Sequence, residues 1–353
     1  MKKIVLTGGG TAGHVTPNIA LLPALQREGF TVSYIGGKGI ERSLITEKNV
    51  PFYCISTGKL RRYFDLKNLT DLFRIAAGFV QSFFILIRIR PSVVFSKGGF
   101  VSVPVVWASA LLRIPVLIHE SDITPGLANR LSIPFAKKIC YSFKETASYL
   151  PENKRVNTGL PIRQELVDGS KDKGLELCRF TQNKPVLLII GGSQGSVTIN
   201  TIIRESLPRL LKSYNVCHLC GKGNLGTAVE NYVQFEYVKD ELAHLLAAAD
   251  LVISRSGATT LFELLALQKP SLLIPLGAGS RGDQVLNARS FEKAGFSHVL
   301  LQDSLTQTTL IESIDTAFAQ RNEMITAMKN CDASQNGTEK ILSQIRSVVV
   351  KNS

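Results

Sequence analysis

Two glycine-rich loops, a histidine and a late helix-start segment have the residue types and spacing to do chemistry. Gly8-Gly9-Gly10-Thr11-Ala12-Gly13-His14 follows the apolar run Ile4-Val5-Leu6, and Gly191-Gly192-Ser193-Gln194-Gly195-Ser196 follows Val186-Leu187-Leu188-Ile189-Ile190. Glycines let backbone N–H groups approach an anion, and the N-terminus of a following helix adds about half a positive charge. Thr16 and Pro17 suit the start of such a helix. His14 stands where the second loop has Ser196; a histidine there is a candidate general base, with a reference pKa of about 6.5. His119-Glu120 ends another apolar run on the same edge, giving either a His/carboxylate cluster or a hydrogen-bonded loop brace. In Ser254-Arg255-Ser256-Gly257-Ala258-Thr259-Thr260-Leu261-Phe262-Glu263, Ser256 or Thr259 can cap a helix. Glu263 lies about one turn in, where its carboxylate can accept two hydrogen bonds from a ribose diol or simply complement the helix dipole. Gly282-Asp283-Gln284-Val285-Leu286-Asn287 offers amides that suit sugar hydroxyls or cap the next helix.

Gly8-x-Gly10-x-x-Gly13 formally fits the dinucleotide fingerprint, which also wants a carboxylate at the end of the second strand. That strand ends Ile35-Gly36-Gly37-Lys38, and the first acid is Glu41. The NAD reading is weakened, although Lys38 or Arg42 would suit an NADP phosphate. No G-x-x-x-x-G-K-[ST] occurs, which argues against a P-loop enzyme.

The elements that must carry these loops are short apolar strands alternating with amphipathic stretches. Val32–Ile35, Val93–Ser96, 115–118, Leu251–Ile253 and Ser271–Ile274 repeat the pattern, which predicts parallel sheets covered on both faces. Ligands on such sheets bind beyond the carboxyl ends of the strands. Residues 9–18 and 191–200 align at a constant offset of 182, with Gly, Gly, Gly, Val, Thr and Asn coinciding. The repeat predicts two Rossmann-like α/β domains, residues 1–160 and 161–337, joined near Asn157-Thr158-Gly159-Leu160-Pro161. A C-terminal helix over 339–350 is expected, with 338–353 packing back on the first domain.

The length of 353 residues fits two domains of roughly 150 each. The N-terminal apolar stretch is too short for a signal-peptide core. The longest apolar run, 75–87, contains Gln81 and Ser82 and falls short of the ~20 residues of a spanning helix. The six cysteines are scattered, and only Cys217 and Cys220 form a C-x-x-C pair. A zinc site would need further ligands, with His218 the sole neighbour of the right type, so no metal is expected and the thiols read as cytosolic. A net charge of +13, from 41 basic and 28 acidic residues, points to a phosphorylated substrate, an acidic membrane or nucleic acid. The absence of a helix-turn-helix or RNP-type segment disfavours nucleic acid. Leu72, Phe73, Ile75, Ala76, Phe79, Val80, Phe83, Phe84 and Ile87 recur at helical spacing. Lys59, Arg61, Arg62 and Lys67 lie before them and Arg74, Arg88 and Arg90 among them. An apolar face with a basic rim is what an interfacial helix needs, though a core helix shows the same period. Part of 79–84 is expected to be exposed.

Taken in order, Gly8–His14, Gly98-Gly99-Phe100, His119-Glu120-Ser121-Asp122, Gly191–Gly195 and Ser254–Ala258 resemble the motifs of the MurG family of glycosyltransferases over nearly the whole chain. The departures are Ala12 in GGTGG, Ser121-Asp122 in HEQN, Phe100 for Tyr, and Asp283 in a Gln pair. The resemblance implies the GT-B fold, two Rossmann-like domains around a cleft. It further implies inverting transfer of N-acetylglucosamine from UDP-GlcNAc to lipid I, giving lipid II, at the cytoplasmic face of the membrane with no cofactor. By the same resemblance Arg163, Ser193, Gln194, Val238, Ala258, Glu263 and Gln284 would hold the donor, with Thr11, Ala12 and Gly13 also near it. Gly98, Gly99, Glu120 and Asn129 would face the acceptor, and His14 would take up its proton. Another nucleotide-sugar transferase of this fold, or a UDP-GlcNAc 2-epimerase, are the alternatives.

Overall fold

The computed structural model describes residues 2–58, 67–181, 183–192, 194–277, 282–331 and 337–350. The chain divides into one unit of residues 1–162 and 336–353 and a second of residues 163–335.

In the first unit the strands are β1 Lys2–Thr7, β2 Phe30–Gly36, β3 Phe52–Cys54, β4 Val93–Ser96, β5 Val116–Glu120, β6 Lys138–Tyr141 and β7 Arg155–Asn157. They form one sheet in the order β3-β2-β1-β4-β5-β6-β7, every pair parallel. Side chains on a strand alternate between faces, so β1 feeds two cores. Ile4 and Leu6 join Leu21 and Leu25 of the Thr16–Arg27 helix and Ile341 and Ile345 of the C-terminal Thr338–Val350 helix. Val5 joins Leu86 and Ile89 of the Lys67–Ile89 helix and Val105 and Val106 of the Ser102–Leu111 helix. The C-terminal helix is thus part of the first unit, reached by a return crossing at which Gly337 N donates to Leu160 O at 3.0 Å.

The second unit repeats the plan with β8 Val186–Ile190, β9 Asn215–Leu219, β10 Tyr232–Phe235, β11 Leu251–Ser254, β12 Ser271–Leu273 and β13 Ser297–Val299. Their order is β10-β9-β8-β11-β12-β13, again all parallel. In each sheet the strand order reverses beside the strand that precedes a glycine loop, between β1 and β4 and between β8 and β11. That switch point is where a doubly wound sheet opens a crevice for ligand. The repeated asparagines do matching work. Asn18, fully buried, donates to Thr7 O at 3.2 Å, and Asn200 donates to Cys220 O at 2.8 Å, each tying the helix after the glycine loop to a strand end.

One expectation needs correction. The Lys67–Ile89 helix has 23 residues, and its Asp71–Ile89 portion is long and apolar enough to cross a membrane by length and composition. The run read from sequence, 75–87, contains Gln81 and Ser82 and stopped short of the helix at both ends. Ser82 returns its hydroxyl to Gly78 O at 2.7 Å, and Gln81 Oε1 accepts from Ser56 N at 2.6 Å, so both polar side chains are accommodated within the domain. One helix face, Ile75, Ser82, Leu86 and Ile89, is buried, which makes the helix a component of the fold. Cys217 and Cys220, read as a C-x-x-C pair, have different surroundings. Cys217 sits in the core with Cys178, whereas Cys220 Sγ lies 3.6 Å from Gln234 Oε1.

Candidate active site

Each of the two glycine loops follows a strand and leads towards a helix, and they differ in what packs against them. In the second unit the loop after β8 leads into the Val197–Ser213 helix, capped by Ser196 Oγ, which accepts from Ile199 N at 3.3 Å. Arg255, just past β11, donates to Ser196 Oγ at 2.7 Å and to Ile274 O at 2.9 Å, so one guanidinium ties the ends of β11 and β12 to the cap of the helix after β8. The sequence signal for Arg255 was its place in the Ser254–Ala258 motif, but its bridging role could not be read there. The Ala258–Ala266 helix starts after Gly257 with no side-chain cap. Ser256, expected as a cap, instead donates to Gln284 O at 2.8 Å, and Asn287 donates to Ser256 O at 3.3 Å. These bonds dock the Asp283–Lys293 helix beside the Ala258 helix. Gln284 Oε1 accepts from Leu276 N at 3.0 Å.

A Cβ built at Gly192, Gly257 or Gly282 would meet nothing within 4 Å. Among the described residues, then, the carboxyl-end edge of the second sheet leaves space above these three glycines and above the N-termini of two helices, the arrangement that accepts an anion, while Gly195 is closed against Cys220 O. Beneath this edge Glu263 is buried, and Arg163 Nε donates to its Oε1 at 3.0 Å. Burial raises the Glu263 carboxyl above the usual range and the Arg163 charge opposes that rise. Gln194 is exposed, Val238 is half-buried against the core and Ala258 is buried. Ser193 lies outside the described residues.

In the first unit the loop after β1 passes into a short turn, Ala12–His14, and then the helix from Thr16, which has no side-chain cap. Thr16 was expected to cap it. Thr11 and Gly13 are exposed, Ala12 and His14 half-buried. Thr11 Oγ1 and His14 Nδ1 are hydrogen-bonded at 2.9 Å. Gly98 and Gly99 adopt positive φ of 87° and 81°, and a Cβ at Gly99 would come within 2.2 Å of Gly9 O. Only glycine allows that close approach.

This loop is closed. A Cβ at Gly10 would strike the Phe100 ring at 2.5 Å. The Glu41 carboxylate accepts from Gly10 N at 3.3 Å and from Gly37 N at 3.1 Å. The acid that the dinucleotide reading sought for a ribose is turned inward on the glycine loop itself.

His119 and Glu120 form the loop brace rather than a solvent-facing pair. Glu120 Oε1 accepts from Ser121 N and Asp122 N at 2.9 and 3.1 Å, and Oε2 from Gly126 N and Asn129 Nδ2 at 3.0 and 2.8 Å. Asn129 also donates to His119 O at 3.1 Å and packs beneath Gly98. His119 is fully buried with Nε2 on Gly159 O at 2.9 Å; burial, aided by the nearby Lys97 charge, holds its pKa well below 6.5. Lys97 was missed in the sequence. It is almost completely buried, bonded to Ser121 Oγ, and burial lowers its ammonium pKa to about 8 against the opposing charges of Glu120 and Asp122.

On the Lys67–Ile89 helix, Leu72, Phe73, Val80, Phe84 and Ile87 are exposed, Phe84 at 64% and Phe73 at 70%. Phe79 and Phe83 are half-buried against the core. Arg74, Arg88 and Arg90 are exposed beside them. Lys59, Arg61 and Arg62 lie outside the described residues, as does the side chain of Lys67.

Comparison with known proteins finds one family in both parts of the chain. The glycosyltransferase family 28 N-terminal domain matches residues 4–141, and the family's C-terminal domain matches residues 186–345. The chain is 54% identical over 349 residues to a Clostridium novyi protein named UDP-N-acetylglucosamine–N-acetylmuramyl-(pentapeptide) pyrophosphoryl-undecaprenol N-acetylglucosamine transferase, covering 97% of this chain and 98% of that one. A Clostridium tetani protein of the same name is 51% identical over 98% of this chain and 97% of its own. Among solved structures, Acinetobacter baumannii MurG aligns with a TM-score of 0.78 at 26% identity, over 98% of this chain and 100% of that one. A putative UDP-N-acetylglucosamine 2-epimerase from Listeria monocytogenes, at 14% identity and a TM-score of 0.73 over 98% and 96%, shares the fold.

Proposed function

Because the chain belongs to glycosyltransferase family 28, matching both of its domains in order, we propose that it performs the transfer for which its relatives are named. It moves N-acetylglucosamine from UDP-GlcNAc onto undecaprenyl-pyrophosphoryl-N-acetylmuramyl-(pentapeptide), lipid I, making lipid II. The observation that carries this reading is identity of 51–54% running through both domains to proteins of that name. The 2-epimerase reading rests on fold alone, at 14% identity.

The geometry supports a division of labour. The open edge of the second unit takes the donor. The UDP diphosphate sits over Gly192, Gln194 and the Ala258 helix start, with Ser193 beside it, and Glu263 meets the ribose hydroxyls while held by Arg163. Val238 supplies backbone groups to the base, and Gln284 faces the sugar. The first unit takes the acceptor at Gly98 and Gly99, whose loop Glu120 and Asn129 hold in shape, while Thr11, Ala12 and Gly13 present His14.

The reaction is an inverting displacement in which the acceptor hydroxyl attacks the anomeric carbon and UDP leaves. His14 accepts the hydroxyl proton at Nε2, the tautomer in which Nδ1–H is given to Thr11 Oγ1. Helix N-termini and loop N–H groups stabilise the leaving diphosphate. The exposed apolar strip of the Lys67–Ile89 helix, with its arginines, rests on an anionic membrane surface and brings the enzyme to its lipid-linked acceptor. Transfer of labelled N-acetylglucosamine from UDP-GlcNAc onto a lipid I analogue tests the reading. Formation of an epimer from UDP-GlcNAc alone, without transfer, would replace it.

A further inference from the structure

Glu41 is a buried acid for which the reaction has no use. Its side chain is 1% exposed, and among the described residues no salt bridge involves it. Its carboxylate is instead enclosed by backbone. Gly10 N and Gly37 N donate to it, and a Cβ built at Gly9, Gly37 or Gly39 would lie 2.7 to 2.9 Å from its atoms. Two glycine turns, one after β1 and one after β2, are thus wrapped around one anionic group. Burying a carboxylate is costly unless N–H donors replace water, and a glycine loop at a switch point is built to supply such donors to an anion. At the equivalent edge of the second unit a Cβ at Gly192, Gly257 or Gly282 meets nothing within 4 Å among the described residues.

We propose that Glu41 is a built-in anion: its carboxylate fills the first glycine loop as a ligand phosphate would, and so holds the Gly8–His14 segment in its working shape. Glu41 is then a positioning residue. It acts through Gly10 N, one residue before Thr11, whose hydroxyl is bonded to His14 Nδ1. This inference rests on the transferase reading above, with His14 as base.

The test is chemical rescue. Glu41→Ala empties a space of carboxylate size lined by glycine backbone. Turnover is expected to fall by ~10- to 100-fold, the scale of a misplaced catalytic group, while UDP affinity, set in the other domain, stays near wild type. Added formate is expected to restore part of that kcat, with chloride at equal ionic strength restoring none. Formate should do nothing for wild type or for His14→Ala. Glu41→Gln keeps the space filled but presents an amide nitrogen to one of the two N–H donors, so its kcat should fall without a formate response. Wild-type kcat in Glu41→Ala, or a loss untouched by formate in a folded variant, overturns the proposal. If Glu41→Ala does not fold, Glu41→Gln decides alone: lowered kcat with normal UDP affinity supports it, and wild-type kcat overturns it. Failure of the transferase reading is separate, because the wild-type protein would then transfer no sugar at all.

Discussion

Arg163 Nε donates to Glu263 Oε1 at 3.0 Å across a separation of 100 residues, joining the first residue of the second unit to the helix that follows β11. The pair places a carboxylate, 7% exposed, under the open glycine edge and fixes which oxygen faces the arginine. A carboxylate held this way is ready to accept from a diol. Losing one partner of a hydrogen bond to a charged group costs ~1.5–3 kcal/mol. Glu263→Ala is therefore expected to weaken UDP binding by roughly ten- to a hundredfold, read by calorimetric titration. Unchanged affinity would reduce Glu263 to an acid that only pairs with Arg163.

The Thr11–His14 hydrogen bond sets the second expectation. A positioned general base is worth ~10²–10⁴ in rate, so His14→Ala should cut turnover by that order and leave UDP affinity near normal. Thr11→Val removes the hydroxyl bonded to His14 Nδ1 and should lower kcat by a smaller factor, roughly tenfold. An equal fall in UDP affinity and turnover for His14→Ala would place this histidine on the donor instead of the acceptor.

His218 gives the second unit a pH dependence with a definite sign. It is fully buried, with Nε2 on Asn200 Oδ1 at 3.0 Å and Nδ1 on Tyr232 OH at 2.9 Å. Burial, together with the nearby Arg204 charge, lowers its pKa to about 3 from 6.5. Between those values the unfolded chain takes up a proton that the folded chain does not. The neutral imidazole therefore contributes stability that is complete above pH 6.5 and is lost as pH falls towards 3. The interval is worth a few kcal/mol, at about 1.4 kcal/mol for each pH unit. Denaturant unfolding of wild type and His218→Gln should give a stability difference that shrinks, or reverses, from pH 7 to pH 4. A constant difference would contradict it.

The strands that carry ligand loops were legible because they are short, largely apolar and followed within three residues by glycine. Val93–Ser96 and Leu251–Ser254 are examples, and the offset of 182 exposed the duplication. The edge strands Phe52–Cys54, Arg155–Asn157 and Ser297–Val299 were not, because three residues carry too little periodicity. In the site, residue types showed that Glu263, Arg163 and His14 could act. They could not show that Glu41 turns into the first glycine loop or that Lys97 is buried beneath Ser121, because both depend on contacts between segments distant in sequence. Ser256 misled for the same reason. A serine before a helix is a good cap by local rules, but Gln284 O, 28 residues on, takes its hydroxyl.

The exposed strip on the Lys67–Ile89 helix is the last feature with a measurable consequence. Its buried face satisfies the domain core through Leu86 and Ile89, while Phe73, Val80 and Phe84 are left in water. Burying one large apolar side chain is worth ~1.5–3 kcal/mol, and each basic group near an anionic surface adds about 1 kcal/mol. Phe73→Ser with Phe84→Ser should therefore lower partitioning onto anionic vesicles by ~10²-fold or more. Reversing Arg88 to Glu should weaken it further and make the remaining binding less sensitive to salt. Because these side chains point away from the core, the triple variant should keep its melting temperature and its activity on a short-chain soluble acceptor. Only its activity on acceptor embedded in vesicles should fall. Vesicle sedimentation unchanged in that variant would show that the strip is not the membrane-contacting surface.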